Sequence, residues 1–179
     1  YQPAGVWDEM NVYGNLRNYR HDMGPDLHRR SLYTIWKRTA APPNMTLFDM
    51  PSRETCRVRR PRTDTPLQAL DMLNDVTYVE ASRALALRMI KEGGQTPESR
   101  LKFAFEVVLA RDPTAQENQI LATGFKRRLA HYQASKSEAV KLISEGDLKN
   151  PPNLDPAVLA AYTLTASTIL NLDETITKE

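Results

Sequence analysis

Thr65-Pro66-Leu67-Gln68 spells the start of a helix more completely than any other stretch of this chain. The threonine hydroxyl can accept a hydrogen bond from an amide that the first turn leaves without a partner. The proline sits at the first helical position, where no amide proton is needed, and the glutamine can bond back to the amide of the cap. The pattern recurs: Thr96-Pro97 repeats the cap and proline, Thr114 with Glu117 makes a second capping box, and Asp155-Pro156 opens a last helix. Apolar residues follow each start at helical spacing. They are Leu67, Leu70 and Leu73; then Tyr78, Ala81, Leu85 and Met89 behind a cap at Asp75; then Leu101, Ala104, Phe105 and Val108. Leu121, Phe125, Leu129 and Tyr132 come next, Val140 and Ile143 in a shorter helix from Ser137, and finally Leu159, Tyr162, Ala166, Ile169 and Leu170. Gly93-Gly94, Asp112-Pro113 and Gly146 supply stops. No window alternates with period two, and seven glycines with 7% aromatics do not suit a glycine-punctuated β design. The spacing therefore predicts an all-α fold, a compact array of about six or seven helices with short joints.

The N-terminal third reads differently. Residues 1–26 have no clean period and are broken by Pro3, Gly5, Gly14, Gly24 and Pro25. They are expected to form an irregular arm that packs on a region upstream, with the helical domain over 27–179 and a linker at 147–155 around Pro151-Pro152. A short helix is predicted over residues 26–38, capped by Asp26, with Leu27, Leu32, Ile35 and Trp36 on its apolar stripe and with Pro42 and Pro43 ending it. A loop over residues 40–64 follows, and loops that long are uncommon unless functional or packed down. The chain opens at Tyr1 without an initiator Met and is expected to be the C-terminal portion of a longer polypeptide. The uncharged run at 156–172 is too short to span a bilayer and carries Thr and Ser, so it is expected to be a core helix, with no transmembrane segment.

Composition narrows the chemistry. Hydrophobic residues at 41% and charged residues at 26% are ordinary for a globular domain, and a net charge of +2 gives no reason to expect nucleic acid. The single cysteine, Cys56, excludes both an internal disulfide and a C-x-x-C-H haem attachment within the chain. It is expected to be a buried, inert thiol. No G-x-S-x-G, glycine-rich phosphate loop or H-E-x-x-H occurs, so no self-contained active site is expected and no catalytic residue is assigned.

What remains is a local concentration of arginine: Arg53, Arg57, Arg59, Arg60 and Arg62 in the long loop. The planar guanidinium fork suits carboxylate, phosphate or sulfate. Three readings stand: the loop binds an anionic ligand such as a sulfated or carboxylated polysaccharide, or its arginines pair with Asp49, Glu54, Asp64 and helix C-termini and pin the loop down, or they make a contact to another domain. Trp36 with Arg38 is a candidate sugar-stacking platform, or else Trp36 is core and the charges around it are solvated. His21, Asp22, Asp26 and His28 are metal-ligating residue types at a spacing that matches no familiar site, and no metal site is assigned. His131 has no evident partner.

Five motifs, in order, carry a resemblance. They are Tyr1-Gln2-Pro3-Ala4-Gly5-Val6-Trp7, Arg30-Ser31-Leu32-Tyr33-Thr34-Ile35-Trp36-Lys37-Arg38 and Asp49-Met50-Pro51-Ser52-Arg53-Glu54-Thr55-Cys56. Thr65-Pro66-Leu67-Gln68-Ala69-Leu70 with Leu73-Asn74-Asp75, and the ending Leu170-Asn171-Leu172-Asp173-Glu174-Thr175, complete the set. Together the chain resembles the C-terminal portion of the planctomycete-type domain of unknown function 1553. The resemblance implies a large exported protein, periplasmic, cell-surface or secreted, with a haem-bearing cytochrome-c-like region upstream and no cofactor here. It implies docking on upstream domains of the same polypeptide, and leaves a polysaccharide-binding accessory module or part of a multidomain redox or hydrolytic enzyme as alternatives. It offers no catalytic residue to carry over. Asp64 stands where the family pattern has Asn, and Ile35 where it has an aromatic.

Overall fold

Helix starts decide the architecture. The computed structural model describes residues 1–3, 5–7, 20–37, 40–59, 61 and 63–177. Among these there are eight α-helices and no strand: α1 (Pro43–Leu47), α2 (Pro66–Asn74), α3 (Val76–Glu92), α4 (Pro97–Leu109), α5 (Ala115–Ala134), α6 (Lys136–Ile143), α7 (Pro156–Leu170) and α8 (Asp173–Ile176). The chain divides into two compact units, Tyr1–Asp71 and Met72–Glu179.

In the second unit the anticipated caps are all formed. Asp75 Oδ1 accepts from the Thr77 amide (2.8 Å), and Thr96 Oγ1 accepts from the Ser99 amide (3.1 Å). The Thr114–Glu117 box closes in both directions, at 2.7 and 3.2 Å. Asp155 Oδ1 accepts from the Ala157 amide (2.9 Å). Between α3 and α4 the chain turns through Gly93 and Gly94. A Cβ on Gly93 would lie 2.9 Å from Arg100 Cα, and Gly94 sits at φ +87°, so both positions exclude a side chain for different reasons.

Helix α7 is apolar all round and is accordingly buried all round, packed against α3, α4, α5, α6 and α8. Its small residues Ala157, Ala160, Ala161 and Ala166 let neighbours approach, while Leu159, Tyr162 and Ile169 fill the space between them. Two buried threonines avoid an unsatisfied hydroxyl by donating back along the helix, Thr163 to Leu159 O and Thr165 to Ala161 O, both at 2.8 Å. Leu101, Ala104 and Phe105 of α4 and Leu121, Phe125 and Tyr132 of α5 complete the core as their spacing predicts.

Three faces differ from expectation. On α2 the expected stripe Leu67, Leu70 and Leu73 is exposed, and Gln68 is the buried residue. On α3 the buried set is Glu80, Ser82, Arg83, Leu85, Ala86 and Met89, and Ala81 is exposed. On α6, Val140 is exposed and Ala139 takes its place inside. His131 is not isolated: its Nε2 lies 2.9 Å from Glu138 Oε2.

The departure on α3 has a polar cause. Glu80 and Arg83, both buried, reach the segment after α6. Glu80 Oε2 accepts from the amides of Asp147 (2.6 Å) and Leu148 (3.3 Å). Arg83 donates through Nη2 to Leu148 O (2.8 Å) and through Nη1 to Ile143 O, which also accepts from Asn150 Nδ2 at 2.7 Å. The stretch that composition marks as a linker is thus held through its backbone.

A second polar hub joins α4, α5 and α8. Arg111 grips Glu117 bidentately (2.7 and 3.0 Å) and Glu174 likewise (2.6 and 2.9 Å), with its guanidinium 5.2 Å over the Phe105 ring. Arg111, together with the Thr114 amide, holds the Glu117 carboxyl down at about 2, against an ordinary value of 4.5. Glu174 is also lowered, by the same arginine. A carboxyl depressed in the folded state stabilises fully above its unfolded value and loses that contribution as pH falls through its folded value. Acid should therefore erode stability between about pH 4.5 and 2 through this cluster. In thermal melts followed across that range, Glu117→Gln is expected to show a shallower acid limb than the parent. Parallel limbs would show that the cluster does not couple folding to protonation.

The first unit departs most from expectation. Over residues 26–38, of which 26–37 are described, no helix runs through the described residues. Two 3-10 turns, Gly24–His28 and Ser31–Tyr33, are separated by Arg29 and Arg30 in extended conformations. Of the expected stripe, Leu32 and Ile35 are exposed and Leu27 and Trp36 only half-buried, too little burial to offset helix nucleation. Asp26 caps nothing; its carboxylate pairs with Arg29. Pro42 and Pro43 end no helix either: Pro43 begins α1, using the same first-turn tolerance that places Pro66 in α2. Trp7 is buried, donates from Nε1 to Ala40 O (3.0 Å), and carries the buried Lys37 ammonium 5.1 Å from its ring centre.

Candidate functional site

The long loop is closed at its base by two polar side chains. Asp49, in left-handed backbone (φ +59°), has its Oδ2 accepting from both the amide (2.7 Å) and the hydroxyl (2.8 Å) of Thr63. Gln68 completes the predicted capping box, accepting from the Thr65 amide at 2.9 Å while its own amide donates to Thr65 Oγ1 at 3.3 Å. Its Nε2 then donates to Leu47 O (2.8 Å) and Thr63 Oγ1 (3.1 Å), which ties α2 to the end of α1 and to the closing residue of the loop. Gln68 is buried in doing so. The choice of glutamine over glutamate at this position was the available signal. A carboxylate satisfies the capping box equally well but has no hydrogen to give the Leu47 carbonyl.

Between these pinned ends stand Arg53, Arg57 and Arg59, all exposed; Arg60 and Arg62 lie outside the described residues. Arg53 occupies left-handed backbone (φ +65°), a region disfavoured for a long side chain, and its guanidinium stacks 4.9 Å above the ring of half-buried Trp36. The expected partner of Trp36, Arg38, lies outside the described residues, so the arginine that the structure places on this ring comes from the loop. Neither Arg57 nor Arg59 makes a hydrogen bond or ion pair with any described residue. The reading in which Asp49 neutralises this loop is corrected: both bonds of Asp49 Oδ2 go to Thr63. Val58, between the two arginines, is fully exposed. Cys56 is exposed, where burial was expected; a loop whose ends alone are pinned has no interior in which to place it.

The other candidates do not converge. Among the described residues no group of three His, Cys, Asp or Glu side chains is placed to hold a metal ion. His21 packs its ring 5.0 Å from that of Tyr1, and Asp26 is engaged by Arg29. No helix among the described residues is long and apolar enough to cross a membrane.

No curated protein and no solved structure matches the chain. The profile of one family, described as "Protein of unknown function (DUF1553)", matches residues 2–125. That span takes in the pinned loop, the capping box at Thr65 and the helices through the first half of α5, and by it the chain belongs to the DUF1553 family of proteins of unknown function.

Proposed function

We propose that this chain serves as an interaction module of a larger exported protein, with the unit Tyr1–Asp71 as the surface that meets its partner. One observation carries the reading. Among the described residues of that unit, Trp7 and Pro42 are the only buried apolar side chains, while Met23, Leu32, Tyr33, Val58, Leu67 and Leu70 stand exposed. Ordering a residue's backbone costs about 1–2 kcal/mol, and two buried side chains return only a few kcal/mol against it. A unit of this composition gains its missing burial from a surface outside itself. The second unit, with a continuous core through α3, α4, α5 and α7, has no such deficit. The five family motifs supply the expectation that the partner lies upstream in the same exported polypeptide.

Amide hydrogen exchange tests this on the chain alone and within the longer natural polypeptide. The expected result is added protection across residues 20–71, with α5 and α7 unchanged. Equal exchange across residues 20–71 in the two contexts would remove the basis for the reading.

A further inference from the structure

The arginine-bearing loop has a chemistry of its own within that surface. We propose that it docks an acidic protein segment, one that alternates carboxylates with apolar side chains. This inference rests on the interaction-module reading and names the partner's character. Three features support it. Arg57 and Arg59 present two guanidinium forks with no carboxylate partner among the described residues, so an incoming carboxylate displaces no pair with any of these. Arg53 is positioned in advance: its left-handed backbone and its stacking on Trp36 fix one face of the guanidinium and leave its edge for a ligand. Val58 stands fully exposed between Arg57 and Arg59, where an apolar side chain of a partner can cover its isopropyl group.

Val58 decides between anionic partners. A sulfated polysaccharide satisfies the arginines but offers hydroxyls and sulfates to the valine, and Trp36, the aromatic that would stack on a sugar, already has Arg53 over its ring. A peptide that places an apolar side chain between two carboxylates satisfies all three loop features together. The pinned base of the loop, through Asp49, Thr63 and Gln68, limits the rearrangement needed on binding.

The experiment uses the whole chain as bait for a random twelve-residue peptide display library, with an Arg57→Ala/Val58→Ser/Arg59→Ala variant for counter-selection. These three side chains are exposed, and a matching thermal melt confirms that the variant folds. The expected result is enrichment of peptides carrying Asp or Glu on either side of an apolar residue. Synthetic versions should bind at least tenfold more weakly to the triple variant, and severalfold more weakly to Val58→Ser alone, by fluorescence anisotropy. A sulfated oligosaccharide run in parallel should bind weakly and ignore Val58→Ser. Enriched peptides without acid, binding indifferent to the loop variants, or tight oligosaccharide binding that is lost with the arginines alone would each overturn the proposal. The hydrogen-exchange comparison separates the two levels. Protection of residues 20–71 without an acidic peptide signature removes this partner and keeps the interaction surface, whereas absence of protection removes the surface itself.

Discussion

A chain cut after Phe125, where the family profile ends, is expected not to fold its helical unit. The cut falls inside α5 and removes α6 and α7, and α7 is the helix on which α3, α4 and α5 all pack. Leu159, Tyr162 and Ile169 are each almost completely buried, and burial of each such side chain stabilises by roughly 1.5–3 kcal/mol. Losing these three, and uncovering Leu85, Met89, Leu101 and Phe105 as well, removes roughly 10–21 kcal/mol by the same measure, as much as or more than the roughly 5–15 kcal/mol that a domain has in hand. Circular dichroism of residues 1–125 beside the full chain checks this. The full chain should melt cooperatively, and the truncated one should show little helix and no transition. A cooperative melt from residues 1–125 would mean that α7 covers a core able to close without it. The matched region is, on this view, a stretch of similar sequence whose folding unit extends to residue 170 and beyond.

Arg83→Ala is expected to cost about 3–5 kcal/mol, the range for breaking up a buried charged cluster by removing one member. The guanidinium is fully buried and supplies hydrogen bonds to Ile143 O and Leu148 O, and the adjacent buried Glu80 receives the amides of Asp147 and Leu148. Removing Arg83 takes its donor from Leu148 O, leaves Ile143 O with Asn150 Nδ2, opens a cavity on α3, and loosens the segment that leads into α7. Urea unfolding measures the loss. Arg88→Ala, one turn and a residue further along α3, is the control. Arg88 is exposed; it pairs with Glu92, also exposed, and its guanidinium lies 5.5 Å over the Phe103 ring, surface interactions that each contribute little, so its midpoint should stay much nearer the parent's than that of Arg83→Ala. Equal midpoints for Arg83→Ala and Arg88→Ala would remove the cluster from the account of stability.

The contrast between those two arginines marks where the sequence is legible and where it is not. Caps are local: a hydroxyl or carboxylate, a proline and a third residue meet within one turn, so Thr65, Asp75, Thr96, Thr114 and Asp155 could be read directly, and the all-α array followed from them. The faces of α4, α5 and α7 were equally readable, because one period decides them. Arg83 was not readable, because its partners lie 60 and 65 positions away and a charged residue on a helix ordinarily points to water. The helix expected over residues 26–38 failed for the converse reason. Its pattern was helical, but an apolar stripe makes a helix only where something covers it, and Leu32 and Ile35 are exposed. At the loop, composition identified the arginines but not their geometry. Nothing local in sequence says that Arg53 meets Trp36, 17 residues away, or that Asp49 bonds with Thr63 instead of an arginine.

The clasp formed by Asp49, Thr63 and Gln68 separates the length of the loop from the integrity of what bears it. Once the two ends are fixed, extra residues between them add closure entropy only slowly, about 0.6 kcal/mol for each doubling. Insertions between Arg57 and Pro61, beyond the Asp49–Cys56 motif and the Arg53–Trp36 stack, should therefore be tolerated while Gln68 stays in place. The clasp lets that short stretch lengthen without renegotiating the fold.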